Sequence, residues 1–375
     1  MKMTHRLTPF LLLLAIITLS FEASAGPGQQ GGFSVKTIKR SDWQFPVLEG
    51  TNASTAERIN ALMFQNVFDP EFPAVPPANP EHSLTVLDNE LSRSIASIGF
   101  QVLQNDDRLF SVLFDGEGCG AYCESFQRPL AFDRATGRLL TDADLFTVSG
   151  RNALILELVK RNQKAIQDQI AKIQDKDTSE FGSPEDKEVA IDMYQSCLGN
   201  WQSKEWQNWI GNMEFHPREL LFVHGRCSNH VLQGLDDLGD LRNSYAYAAL
   251  KPWLSDYGRR LLLNEKNEGK PASALGQWLK GTIGGKTRIS LYLAKPYQGY
   301  LVKETDIHGY YFYDRYRKPL KLQGKRKEGK FFLEEFDGKE TAQAAMILKN
   351  DGNGGLYGQW KSRGGKKVLE IKLDP

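Results

Sequence analysis

The sequence lacks the motifs that mark several catalytic classes. It has no G-x-S-x-G elbow, which an α/β-hydrolase uses to expose its serine nucleophile. It has no G-x-x-x-x-G-K-[ST] loop, so a P-loop phosphate cradle is excluded. There is no solenoid-type repeat. After residue 25, no apolar run is long enough to cross about 30 Å of hydrocarbon, so no membrane span is expected. Cysteine is scarce, with Cys119, Cys123, Cys197 and Cys227 the full set of four. Net charge is small, at +1.

The first residues are distinctive. Lys2, His5 and Arg6 precede an apolar run from Pro9 to Phe21, and Ala23-Ser24-Ala25 follows. A basic start, a short greasy middle and a small-residue exit describe a secretory signal peptide over 1–25. No Cys lies near the cut to carry a lipid anchor. A periplasmic or secreted location is therefore expected. An even cysteine count in an exported chain favours two disulfides, with three connectivities open. Cys119–Cys123 with Cys197–Cys227 is preferred, because near neighbours meet most easily. The second bridge closes a loop worth roughly 3–4 kcal/mol in the chain-entropy model.

Small net charge hides an asymmetry. From Leu275 to Pro375 there are 20 Lys/Arg against 11 Asp/Glu, a net of +9. With +1 in the signal peptide and +1 overall, residues 26–274 carry −9. An acidic lobe followed by a basic one suggests charged partners.

Residues 26–32 read as a Gly/Gln-rich flexible tether. Asp42 to Leu48 reads as a strand, and Ser54 with Glu57 as a capping box before an amphipathic helix on Ile59, Leu62, Met63 and Val67. Prolines from Pro70 to Pro80 mark a loop. Leu84 to Leu87, Ile95 to Leu103 and Leu109 to Phe114 read as strands of a meander, followed by a Gly/Cys loop from Asp115 to Glu124. A helix is expected from about Asn152, another from Ser183-Pro184, a strand over Glu219 to Val223, and a helix from Tyr247 to Leu263 bent near Pro252. Residues 33–263 thus form an α+β domain, an antiparallel sheet with packed helices. A polar linker spans 264–274. Over 275–375, about eight short alternating strands separated by glycine turns, Gly324 and Gly338 among them, indicate a small all-β antiparallel sandwich or barrel.

The run Phe114-Asp115-Gly116-Glu117-Gly118-Cys119-Gly120-Ala121-Tyr122-Cys123 is followed by Leu130-Ala131-Phe132-Asp133, Thr136-Gly137-Arg138 and Asp144-Leu145-Phe146. Together with Ser244-Tyr245-Ala246-Tyr247 and Leu250-Lys251-Pro252-Trp253-Leu254, it resembles an extracellular bacterial domain of unknown function. That domain occurs in a lysozyme-sensing anti-sigma factor and beside the catalytic domain of some peptidoglycan deacetylases. The resemblance spans Phe45 to Leu263. It implies an envelope protein, with lysozyme as a basic partner. Where better-known members have a Gly-Gly-Ala-His type loop, this chain has Cys-Gly-Ala-Tyr-Cys, and no contact residue is carried over.

Several groups are candidates for chemistry. His224, Cys227 and His230 have ligand spacing for a metal, although a bridged Cys227 offers no thiolate and a strand would point His224 and Cys227 apart. Glu117 with Glu124, or Asp236 with Asp237, could be paired carboxylates for glycan hydrolysis, or simply a solvated acidic face. Trp201, Trp206 and Trp209 suit sugar stacking or core packing. A loop clamped by Cys119–Cys123 would present Glu117, Tyr122 and Glu124 for binding. Lys321, Lys325, Arg326, Lys327 and Lys330 form a basic stretch, which in an exported protein suits an anionic envelope polymer rather than nucleic acid. No catalytic residue, metal or cofactor is assigned. The expected function is an exported cell-envelope binding or sensing protein for lysozyme or a cell-wall glycan. The alternative is an envelope enzyme acting on peptidoglycan or another glycan.

Overall fold

The computed structural model describes residues 32–50, 53–68, 95–120, 122–203, 209–271, 273–295, 305–316, 318–336 and 341–375. The expected signal peptide, the tether up to residue 31, the proline-rich loop, the strand over Leu84 to Leu87, Trp206 and Gly338 lie outside them.

The chain opens with a hairpin, β1 (Ser34–Arg40) and β2 (Trp43–Glu49). Helix α1 (Ala53–Val67) follows, and its predicted stripe of Ile59, Leu62, Met63 and Val67 is buried. Burying each such side chain contributes about 1.5–3 kcal/mol relative to exposure. Ser54 is not the cap expected of it, because the helix already includes Ala53 and Ser54 is exposed within it. Strands β3 (Ile95–Asn105), β4 (Leu109–Cys119), β5 (Cys123–Asp133) and β6 (Arg138–Leu139) complete a six-stranded sheet in sequence order. It is antiparallel except where Trp43 of β2 meets Ile98 of β3 in parallel. Phe45 stacks on Phe114 at 5.5 Å and packs with Phe64 and Phe68, which glues α1 to the sheet.

A short helix α2 (Asp142–Leu145) leads to the long α3 (Val148–Asp175) and to α4 (Pro184–Gln202). Thr147 caps α3 by accepting from Gly150 N at 2.9 Å, four residues earlier than the expected start. Ser183 caps α4, with Pro184 in its first turn as expected. Leu154, Leu158 and Ile166 of α3 pack with Ala190, Tyr194 and Trp201 of α4. They also pack on a small sheet of β7 (Asn212–Phe215), β8 (Glu219–His224) and β9 (Leu241–Ala246). The expected bent helix near Pro252 is two helices, α5 (Tyr247–Leu250) and α6 (Asp256–Leu263). Proline and the Ser255 cap separate them.

The last eight strands close into an antiparallel barrel. They are β10 (Trp278–Ile283), β11 (Thr287–Ala294), β12 (Asp306–Tyr313), β13 (Leu320–Lys327), β14 (Lys330–Phe336), β15 (Ala344–Asn350), β16 (Leu356–Ser362) and β17 (Val368–Asp374). β10 pairs with both β11 and β17, so no edge is left open. Eight strands leave an interior just wide enough for side chains. Leu279, Leu291, Leu322, Leu333, Met346 and Leu373 fill it. Near one end the buried Glu335 accepts from Tyr311 Oη at 2.6 Å and from Trp360 Nε1 at 2.9 Å, so its carboxylate is satisfied. Gly324 does not make the expected turn. It lies inside β13, where a Cβ would come within 1.9 Å of the Phe332 carbonyl oxygen. The absent side chain lets the barrel wall close there.

Barrel and α+β region share a core. Trp278, Tyr292 and Phe312, on the outside of the barrel, are buried with α1 and the first sheet. Arg138, 1% exposed, donates to Asp144 at 2.8 Å and to the Ser273 carbonyl. Burial alone would raise the Asp144 carboxyl, and Arg138 and Thr141 only partly oppose it, so it sits above the usual carboxylate range. The expected linker segment is therefore anchored at Ser273, and Leu139 N adds a bond to the Gly276 carbonyl at 2.9 Å.

Candidate functional site

The expected Gly/Cys loop from Asp115 to Glu124 is instead a two-stranded ribbon. β4 and β5 pair without interruption from Leu109 opposite Asp133 to Cys119 opposite Cys123. Ladder pairing places the two cysteines directly across from each other, with Cα atoms 4.0 Å apart, and they form one disulfide. Gly116 permits this extension, since a Cβ there would lie 2.3 Å from the Ser97 carbonyl oxygen of β3. Side chains alternate along the ribbon. Glu117 sits opposite Ser125, whereas Glu124 sits opposite Gly118, so the two glutamates project from opposite faces. That arrangement does not suit a carboxylate pair acting on one glycosidic bond.

Tyr122 stands at the tip, 55% exposed, and stacks on His230 with ring centroids 4.3 Å apart. His230 lies three residues beyond Cys227, which is bonded to Cys197 of α4. Both disulfides are thus the preferred pair, and the ring stack connects one disulfide loop to the other. Sequence spacing alone could not show that Tyr122 and His230 meet.

The metal reading of His224, Cys227 and His230 is not supported. Cys227 is disulfide-bonded, and His230 is stacked on Tyr122. His224 is wholly buried at the end of β8, between Trp201 and Trp209, each 4.9 Å away and edge-on. Its Nδ1 faces the Asn162 amide at 3.3 Å, and Asn162 accepts from Asn243 at 2.7 Å. Burial pushes the His224 imidazole down to about 4, with the Trp209 main chain opposing. Trp201 therefore packs a neutral histidine into the core, and Trp209 closes the other side of that ring while its half-buried remainder faces the cleft between β5 and the barrel wall.

Asp236 and Asp237 also have structural roles. Burial favours a neutral Asp236, but donors from Tyr194, Ser228 and Gly239 outweigh it and hold the carboxyl below its ordinary range. Asp237 pairs with Lys176 at 3.3 Å.

A cleft of about 1400 Å³ runs between β5, the end of α1, the 209–213 segment and the outer wall of the barrel. Its lining brings together Arg128, Arg226, Lys295 and Arg326. Arg128 also donates to the carbonyl oxygens of Asn66 and Val67 at the end of α1. Arg226, Lys295 and Arg326 have no ion-pair partner among the described residues. The lining Arg151 is neutralised by Asp142, which leaves Asp240 as the remaining lining acid. Phe126 and Trp209 add apolar surface. Of the candidate binding residues, Arg326 lines this cleft, Lys325 and Lys327 flank it on β13, and Ser125 extends the cleft toward the hairpin that bears Glu117, Tyr122 and Glu124. Arg128, Arg226 and Lys295 carry no signal in the sequence, because each stands alone in its own segment.

No protein-family model matches the chain, and no curated protein does. Among solved structures, it is similar to a member of the DUF3298 family from Bacteroides fragilis. Identity is 12% and the TM-score 0.40, over 61% of this chain and 96% of that one. This is a coarser likeness than the resemblance to lysozyme-sensing anti-sigma factors, which it does not reach. Among the described residues, no helix is long and apolar enough to cross a membrane.

Proposed function

We propose that the protein is an exported binding protein of the bacterial cell envelope that holds a segment of an anionic polymer in the cleft beside the barrel. The observation that carries this reading is the convergence of Arg128, Arg226, Lys295 and Arg326 on one concave surface, against a single unneutralised lining acid. Such a cluster of cations attracts anions, and low-dielectric walls strengthen the field. Two disulfides suit an oxidising compartment.

The test is binding of the purified mature chain to poly(glycerol phosphate) and to neutral dextran, at low and high salt. Expected is salt-sensitive binding of the anionic polymer alone, weakened about tenfold or more by Lys295→Glu with Arg326→Glu. Equal binding of both polymers, or none at low salt, overturns the reading.

The hairpin tip supports a second reading, a basic protein partner such as lysozyme. Glu117 and Glu124 are exposed on the two opposite faces of the ribbon, Tyr122 stands at its tip, and the disulfide fixes the end of the hairpin that carries them. Capture of lysozyme at low salt, lost on Glu117→Lys with Glu124→Lys, is expected. Capture that ignores both substitutions removes this reading.

A further inference from the structure

The barrel carries a second basic feature, independent of the cleft lining. In antiparallel register Lys327 faces Lys330, Lys330 faces Lys349, Lys349 faces Tyr357, and Tyr357 faces Lys372. All five belong to the outward set, alternating with the buried Phe331, Leu348, Leu356 and Leu373. They form one belt across five adjacent strands. Neighbouring strands lie about 4.8 Å apart, so the lysines on β13, β14 and β15 start about that far from one another. Like charges directly opposite destabilise a sheet. Among the described residues none of these four lysines has an ion-pair partner. The nearby acids are Glu328, in the turn between Lys327 and Lys330, Glu370 and Asp374, on either side of Lys372 along β17, and Glu334, two rows from Lys330. Tyr357 is 47% exposed within the belt. Lys327 follows Arg326 of the cleft lining on β13, with the two side chains leaving the strand on opposite sides, so cleft and belt meet at the barrel rim and not on one face.

We infer that this belt is a track for a flexible polyol–phosphate chain, which enters at the cleft and continues around the barrel. The inference rests on the anion-binding reading and extends it to a polymer class. Curvature decides against a flat bilayer. A closed barrel of eight strands turns about 45° per strand, so a plane touches two or three strands and cannot reach all five. Scarcity of aromatic side chains decides against single-stranded nucleic acid. Sites for that ligand stack successive bases on successive aromatics, whereas this belt offers Tyr357, with Phe332 one row away on β14, and no run of neighbouring rings. What repeats is the cation, at a spacing that suits a phosphodiester chain with short acyclic linkers.

The experiment uses the mature full-length chain and fluorescently labelled poly(glycerol phosphate), as a long chain and as a trimer. The variants are Lys330→Gln with Lys349→Gln and Lys372→Gln, and separately Lys295→Glu with Arg326→Glu. The belt variant is expected to bind the long chain about tenfold more weakly and to shift trimer affinity less than about twofold. Its plot of log affinity against log salt should be shallower by about 2, roughly 0.7 for each phosphate that the removed lysines no longer neutralise. Its thermal midpoint should equal or exceed that of the wild type, since opposed lysines are removed. The track is overturned if the belt variant binds the long chain as the wild type does, or if single-stranded DNA binds more tightly than the polyol phosphate. Failure of the anion-binding reading looks different, because the wild type then binds neither long chain nor trimer.

Discussion

Acidification should weaken the helical lobe through one residue, His224. The side chain is wholly buried between Trp201 and Trp209, and its folded pKa lies near 4 against an ordinary 6.5. Because the folded value is the lower one, the unfolded chain takes up the proton first. Stability from this group is complete above about pH 6.5 and is lost as pH falls toward 4. At pH 5 the loss works out at about 2 kcal/mol, rising to about 3 kcal/mol below pH 4. The assay is urea unfolding at pH 7.5 and pH 5.0, followed by tryptophan fluorescence, on the wild type and on His224→Gln. Glutamine keeps a partner for Asn162 and does not titrate. Asp106 and Asp236, both held low, lose stability on acidification in either protein, so they cancel in the comparison. The wild type should lose about 2 kcal/mol more than the variant between the two pH values. Identical losses would refute the claim that His224 is held neutral.

Three further outcomes follow from the covalent and ionic joints. Replacing Cys197 and Cys227 by serine opens a loop with a sequence separation of 30 and should cost about 3–4 kcal/mol, read as a lower urea midpoint. Replacing Cys119 and Cys123 should cost about 2 kcal/mol or less, because the strands on either side still pair, and limited proteolysis should show cleavage near Tyr122. A cost equal to that of the longer bridge would contradict the ladder account. Arg138→Met strands the buried Asp144 and should cost about 3–5 kcal/mol at pH 7.5. That cost should shrink at pH 5, since Asp144 already sits above its ordinary range and protonates readily. An undiminished cost at pH 5 would mean that Arg138 matters for packing and not for charge.

Much of the architecture is legible in the sequence because period-two alternation survives in the barrel. Ile289, Leu291 and Leu293 point inward, as do Leu369, Ile371 and Leu373, and a closed sheet requires that pattern. The 115–124 segment reads as a loop because Gly, Asp and Glu, which dominate it, are depleted in strands. Its pairing is imposed by partners on β3 and by the facing cysteines. Gly324 looks like a turn for the same reason, and is a close approach instead. The cleft is illegible beyond Arg326, since Arg128, Arg226 and Lys295 come from segments far apart in the chain. The belt is half visible. Lys327 and Lys330 stand out as a run, but Lys349 and Lys372 look like solvated faces until register aligns them.

Side-chain footprinting tests the central claim most directly. The mature chain would be labelled at lysine and arginine with and without poly(glycerol phosphate), and the modified peptides quantified by mass spectrometry. Protection concentrated at Lys295, Arg226 and Arg326 is the expected result. Protection spread evenly over exposed cations, or absent from those three, would contradict it.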